Sequence, residues 1–317
     1  MIELNGKGCR VRVIADSVAN TMNNDARITT LELRYWRAIH AEFMTHRVFS
    51  RNAGSSRAIP IAKIIEQVCT DPAGPIHWGA NQRGMQAGAE IDSPVLVGVY
   101  DEFDNPSDEP LFRFGTTEAS PQEAWRLAAL DAAANAEAFA KAGYHKQLVN
   151  RLLEPFQYIN VLVTATDWHN FFELRDHADA QPEIQDLART MKAAMDQSTP
   201  IVRKGNAGDP DAWHLPYVLD SERELIRLDV LKKISTARCA RVSYEPFDGN
   251  AAPEKELERY NLLVGSKPLH ASPTEHQASP LLKGMERSRN FRGWKQYRED
   301  VEVHVAREEI QALTRTV

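Results

Sequence analysis

Thr45-His46-Arg47-Val48-Phe49-Ser50-Arg51-Asn52-Ala53-Gly54-Ser55-Ser56-Arg57 gathers three arginines, a histidine, three serines and an asparagine into thirteen residues. Such a set is suited to holding anions. Arginine offers a planar, permanently charged fork that matches phosphate oxygens two at a time, and serine hydroxyls with the backbone N–H groups of a Gly-Ser-Ser turn add short donors. The same residues also fit a solvated basic helix end.

Two elements have to position this cluster. Glu32-Leu33-Arg34-Tyr35-Trp36-Arg37 closes a strand-like alternation that begins at Arg27, and Ala38 to Arg51 reads as a helix carrying the histidine and two arginines. Residues 9–19 alternate Cys9, Val11 and Val13 with Arg10 and Arg12, which with the turn-like Asn23-Asn24-Asp25 predicts a hairpin or two neighbouring strands. From Ala62 to about Phe114 the pattern is weaker, with a short strand or helix at Val95 to Tyr100.

The downstream signals are sharper. Ser120-Pro121-Gln122-Glu123 is a capping box with proline at the first helical position, opening an alanine-rich helix that Gly143 stops. A second helix is expected from Tyr144 to Glu154, a buried strand from Gln157 to Ala165, and Asp167 as the cap of a helix beginning at Trp168. Another helix follows from Pro182 to about Gln197. Residues 199–220, with Pro200, Gly205, Gly208, Pro210 and Pro216, read as a linker or a long loop over the surface, and further helices are expected at Leu225 to Lys233 and Glu254 to Val264, with Ala237 to Tyr244 mixed and Pro268 to Pro280 irregular.

Three more constellations carry ionisable groups. Leu174-Arg175-Asp176-His177-Ala178-Asp179 fits either a site or a helix end whose arginine and histidine satisfy terminal carbonyls. His270-Ala271-Ser272-Pro273-Thr274-Glu275-His276 lacks the spacing of the common zinc motifs, so no metal site is assigned. Asn290 to Arg298 mixes aromatics with cations, as a ring-stacking surface, a subunit contact or a helix with snorkelling charges would.

Composition limits the possibilities. A chain of 317 residues with 43% hydrophobic content can bury a real core, and no apolar run reaches the roughly 20 residues that span a bilayer. No signal-peptide pattern opens it, so the expected location is cytoplasmic. Cys9, Cys69 and Cys239 are far apart, which suits buried small hydrophobes better than disulfides or zinc. A net charge of −6 argues against a nucleic-acid footprint and confines any anion site to a local cluster. No Gly-x-Ser-x-Gly elbow, Gly-x-Gly-x-x-Gly or phosphate loop is present.

Taken together the segments resemble the flavin-dependent thymidylate synthases, the ThyX family. Thr45-His46-Arg47 followed seven residues later by Ser55 is similar to the Arg-His-Arg signature, with Asn52 and Arg57 on family positions. Asn170-Phe171-Phe172-Glu173-Leu174-Arg175 with Ala180-Gln181-Pro182-Glu183-Ile184 resembles its Asn-Phe-Leu-x-Leu-Arg and Ala-Gln-x-Glu-Ile segment. Ala240-Arg241-Val242-Ser243-Tyr244 resembles Ala-Arg-Val-Ser-Phe, and His270 to His276 resembles His-Glu-Thr-Pro-Phe-Glu-His. The last two normally precede the signature; here they follow it, so the chain looks circularly permuted. Thr45, Ala53, Ala58 and Asp179 depart from the family pattern.

The resemblance implies an α+β fold with a central, mainly antiparallel sheet flanked by helices: one catalytic domain over 1–317, with insertions near 61–115 and 199–232 and an extension over 277–317. It implies transfer of a one-carbon unit from methylenetetrahydrofolate to dUMP, with FAD as cofactor, NADPH as reductant and a homotetramer with shared sites. His46, Arg47 and Asn52, with Asn170, Ser243 and Ser272, are then flavin contacts. Ser55, Ser56, Arg57 and Arg151 bind dUMP, Arg175 contacts the uracil carbonyl, and His270 lines the folate or nicotinamide side. A different carbon-five modification, such as hydroxymethylation, or a nonenzymatic nucleotide-binding protein on the same scaffold are the alternatives.

Overall fold

The computed structural model describes residues 2–315 apart from 22–23, 85, 87, 104–110, 205, 243–251, 265, 267–268 and 283. Asn23, Gly205, Ser243, Tyr244 and Pro268, named above, therefore lie outside the described residues.

Alternating apolar residues build the sheet. β1 (Glu3–Asn5), β2 (Cys9–Ala19) and β3 (Arg27–Trp36) pair antiparallel, as the alternation predicts, with an irregularity between Val13 and Ala15. A short turn of 3-10 helix (Arg37–Ile39) and α1 (His40–Phe43) lead to β4 (Ser50–Ala53). The helix expected over Ala38 to Arg51 is thus only its first third. Ser50 to Ala53 instead satisfy their backbone against a neighbouring strand, and tertiary pairing overrides the helical spacing.

α2 (Ile61–Thr70), β5 (Val95–Phe103) and β6 (Leu111–Ala119) follow, the two strands forming a separate antiparallel pair. α3 (Pro121–Lys141) starts at Ser120, whose hydroxyl accepts from the Glu123 N–H, while the Glu123 carboxylate pairs with Arg126 instead of closing the capping box, and Gly143 takes a φ of 87° beyond the helix end. The helix expected over Tyr144 to Glu154 is shorter and tighter. It consists of α4 (Lys146–Val149) and a 3-10 segment (Asn150–Phe156) that accommodates Pro155.

β7 (Tyr158–Ala165) is the expected buried strand, followed by α5 (His169–Arg175) and α6 (Pro182–Gln197). Asp167 does not cap α5; its carboxylate pairs with Arg287 at 2.6 Å, while Trp168 occupies the cap without a side-chain bond. β8 (Ile201–Arg203) joins β2 in parallel. The main sheet runs β1-β2-β3-β7-β4, so β4 is an edge strand.

Residues beyond the sheet form α7 (Asp220–Leu225), α8 (Leu228–Ala240), α9 (Pro253–Val264), β9 (Ala278–Pro280), β10 (Arg287–Ser288), β11 (Phe291–Arg292), β12 (Trp294–Gln296) and α10 (Tyr297–Arg315). α8 absorbs both the expected helix near Leu225 to Lys233 and the start of the mixed stretch after Ala237. The fold is α+β, with helices flanking a mainly antiparallel sheet.

The two faces of that sheet are covered differently. Val11, Val13, Leu31, Leu33, Val161 and Val163 meet Phe171, Ile184, Leu187 and Met191 of α5 and α6 in the main core. On the other face Thr30 and Thr164 are buried and bonded to His214, from the stretch between β8 and α7, and to His276, just before β9. Cys9 and Cys239 are buried, whereas Cys69 is exposed on α2, against the expectation for all three. Among the described residues no helix is long and apolar enough to cross a membrane.

Candidate functional site

The site is built around β4, and its alternation decides what each residue of the opening cluster can do. Ser50 and Asn52 are buried, while Arg51 and Ala53 are half-buried on the opposite side. Arg51 turns inward: its Nη1 donates to the carbonyls of Phe43 at 3.2 Å and His46 at 3.1 Å, closing the turn between α1 and β4. Burial pushes its pKa down. Of the three arginines, only Arg47 and Arg57 are exposed.

His46 lies under this turn, 6% exposed, with its ring stacked on Phe49 and edge-on to Phe171. Arg175, at the end of α5, donates from Nε to His46 Nε2 at 3.0 Å. Because arginine only donates, Nε2 accepts and the neutral ring carries its proton on Nδ1. Burial, reinforced by Arg175 and Arg51, lowers the His46 pKa to about 4. The Arg175 Nη1 pairs with the Glu42 carboxylate, and Nη2 lies 3.4 Å from Thr45 Oγ1. Thr45 donates to the Glu42 carbonyl at 2.7 Å.

The other end of β4 leads to the second half of the cluster. Asn150 Nδ2 donates to the carbonyls of Ser56 at 2.6 Å and Ile59 at 3.1 Å, holding the loop against the 3-10 segment that carries exposed Arg151. Ser56 Oγ reaches Glu154 at 3.5 Å, a carboxylate also bound by Arg37 at 3.1 Å. Ser55 Oγ accepts from the Arg57 N–H at 3.3 Å. Ser55, Ser56 and Arg57 therefore lie in one loop held against the segment that carries Arg151.

A third group comes from late in the chain. Asn52 Nδ2 donates to the Cys239 carbonyl at 3.2 Å, so the end of α8, just before the Ala240 to Tyr244 motif, sits on β4. The 3-10 turn Ser272–Glu275 packs against β4 as well. Gln296 Nε2 clamps the two, donating to Ser50 Oγ at 3.0 Å and to the Glu275 carbonyl at 3.1 Å. Ser272 and His270 are exposed on this side, as is Asn170 on α5.

Sequence reasoning missed Glu42, Glu154 and Gln296. Glu42 lies three residues before the cluster, but its partner Arg175 is 133 residues away, and the other two also act across more than ninety residues. Two clefts, of about 360 Å³ beside Arg223 and about 580 Å³ beside Asn20, touch none of the site residues. Among the described residues no three His, Cys, Asp or Glu side chains are grouped to hold a metal.

An edge strand of a mainly antiparallel sheet, with a histidine–arginine pair before it and a serine–arginine loop after it, gives an α+β protein a local cluster of cations and hydroxyls. The family model described as thymidylate synthase complementing protein matches residues 26–201, and the chain belongs to that family, the ThyX family of flavin-dependent thymidylate synthases. The match runs through residues 61–115 and ends before the segments at 240–244 and 270–276. No curated protein matches the chain.

Proposed function

We propose that the chain is a flavin-dependent thymidylate synthase that takes a one-carbon unit from methylenetetrahydrofolate and places it on carbon five of dUMP to give dTMP. The observation that carries this reading is the hydrogen bond between His46 and Arg175, 129 residues apart, beside a strand that leads to the Ser55–Arg57 loop. Two motifs with separate positions in the family pattern thereby act at one place.

The available donors suit FAD. Arg47 supplies an exposed cation for a diphosphate, and Asn170 and Ser272 supply exposed amide and hydroxyl groups. His46 and Asn52 are spent on Arg175 and Cys239, so in this reading they support the flavin site from beneath. Ser243 keeps its assignment as a flavin contact. Reduced flavin held there would supply the hydride that the one-carbon transfer requires, and NADPH would re-reduce the oxidised flavin after each turnover.

The chain's own residues then bind and orient the nucleotide. Arg57 and Arg151 are exposed cations for its phosphate, with Ser55 and Ser56 beside them. Arg175 faces the uracil carbonyl, where a fixed cation stabilises negative charge developing on the ring. His270 lines the folate or nicotinamide side. The exposed position of these groups suits a homotetramer in which subunits share each site, and the contact of late segments with β4 suits one circularly permuted domain over 1–317.

Anaerobic incubation with FAD, NADPH, methylenetetrahydrofolate and dUMP, followed by nucleotide mass analysis, tests the reading. A methylated nucleotide is expected. A product one oxygen heavier moves the assignment to hydroxymethylation, and failure to take up FAD moves it to a nonenzymatic nucleotide-binding protein. Arg57→Ala should weaken dUMP binding while flavin stays bound; loss of flavin instead would reverse the assignment of the arginines.

A further inference from the structure

Arg175 is held on three sides. Its five N–H groups are distributed as one on Nε and two on each terminal nitrogen. Nε–H is used by His46, one Nη1–H by the Glu42 carboxylate, and one Nη2–H points toward Thr45 Oγ1 at 3.4 Å. One N–H on each terminal nitrogen is left over, the pair that a planar carbonyl or carboxylate edge takes up. The Arg175 side chain is 19% exposed and that of Glu42 29%, so the ion pair is partly shielded from solvent while Arg175 keeps some access to it.

Of the three anchors, Glu42 is the one with charge. His46 is neutral, its ring fixed between Phe49 and Phe171, and it offers a single lone pair. Thr45 lies at the limit of hydrogen-bond distance, and its hydroxyl proton is given to the Glu42 carbonyl. Without Glu42 the guanidinium is free to turn about its bond to His46. The ion pair also offsets part of the repulsion between Arg175 and the nearby Arg51, whose guanidinium lies against the His46 carbonyl.

Resting on the reading of Arg175 as the nucleotide's ring contact, we infer that Glu42 is a positioning residue, which orients the Arg175 fork toward the pyrimidine and fixes the tautomer of His46 behind it. Glu42 touches neither ligand in this role. It acts by preorganisation, removing the cost of ordering Arg175 when the nucleotide arrives. The opposite possibility, a carboxylate that competes with the nucleotide for Arg175, predicts effects of opposite sign.

Glu42→Gln keeps the shape and removes the charge. Calorimetry with dUMP on the wild type, Glu42→Gln, Arg175→Ala and the double variant gives the binding readout. Glu42→Gln should weaken dUMP binding about tenfold, by analogy with the low end of the loss when a group supporting a metal ligand is removed. In the Arg175→Ala background the same change should cost nothing further. Equal losses in both backgrounds, or tighter binding by Glu42→Gln, overturn the inference.

A second measurement needs no ligand. Nitrogen NMR of His46 should show one tautomer, protonated on Nδ1, in the wild type and an averaged signal in Glu42→Gln. An unchanged signal overturns the role. If the wild type binds no dUMP, the thymidylate reading falls, and the His46 signal alone decides whether Glu42 positions Arg175.

Discussion

On one side of the sheet, Leu33, Val161 and Val163 meet Leu187 and Met191 of α6 with almost no polar atom between them, while on the other, hydroxyls and imidazoles make the contact. There Ser17 Oγ and His214 Nδ1 are 2.9 Å apart, His214 Nε2 and Thr30 Oγ1 2.8 Å, Thr30 and Thr164 2.7 Å, and Thr164 and His276 Nδ1 2.8 Å. Five buried side chains form one chain of hydrogen bonds across three strands. The apolar face depends on volume and the polar face on pairing, so the two should fail under different challenges.

The largest effect is expected on the apolar face. Phe171 is 1% exposed and touches the rings of Phe43, His46 and Phe49, so Phe171→Ala should cost about 3–5 kcal/mol in a denaturant titration. A loss below about 1 kcal/mol would mean the face can collapse into the gap, and the contrast would lose its first half.

Acid should act on histidines, and chiefly on the polar face. Burial lowers His276 to about 3 and His214 well below its ordinary value. The unfolded chain then binds protons that the folded chain refuses, so stability is lost as pH falls from about 6.5 toward 3, by about 1.4 kcal/mol per unit per histidine. His46 and His40, each lowered to about 4, add to the loss in the upper part of that window. Folding free energies between pH 7 and 4 should show this slope, and His276→Gln should make it shallower. An unchanged slope would show that His276 does not carry it.

Thr164→Val is close in shape and removes one hydroxyl, leaving His276 Nδ1 without its partner. It should cost about 1–3 kcal/mol, and a cycle with Thr30→Val should show coupling between the two sites. Strict additivity would mean that the chain of bonds is only a set of neighbours. Ser120→Ala, at the start of α3 and on neither face, sets the low end at about 1 kcal/mol by thermal unfolding.

Local chemistry was readable and distant pairing was not. The alternation of Val11 and Val13 with Arg10 and Arg12, the apolar run of β7 and the Ser120 cap each determine their own element, because the decisive partner lies nearby or is simply the core. Ala38 to Arg51 reads as one helix because Ile39 and Phe43 have helical spacing, whereas Ser50 to Ala53 are claimed by β7. At the site, His46 and Arg175 were visible through their motifs. Glu42 was not, since a glutamate on an amphipathic turn usually faces water, and only the position of α5 gives it an arginine.

Ser50 on β4 is clamped by Gln296, 246 residues later, and Asn52 by the Cys239 carbonyl, 187 residues later. During synthesis at about 5–20 residues per second, β4 therefore leaves the ribosome roughly 10–50 s before the glutamine that holds it. Over that interval β4 gains β7 as a partner once residue 165 has emerged, but has no cover on its buried-hydroxyl side. Activity should consequently appear in a nascent chain late, after β12 has emerged, however early the rest of the sheet has formed.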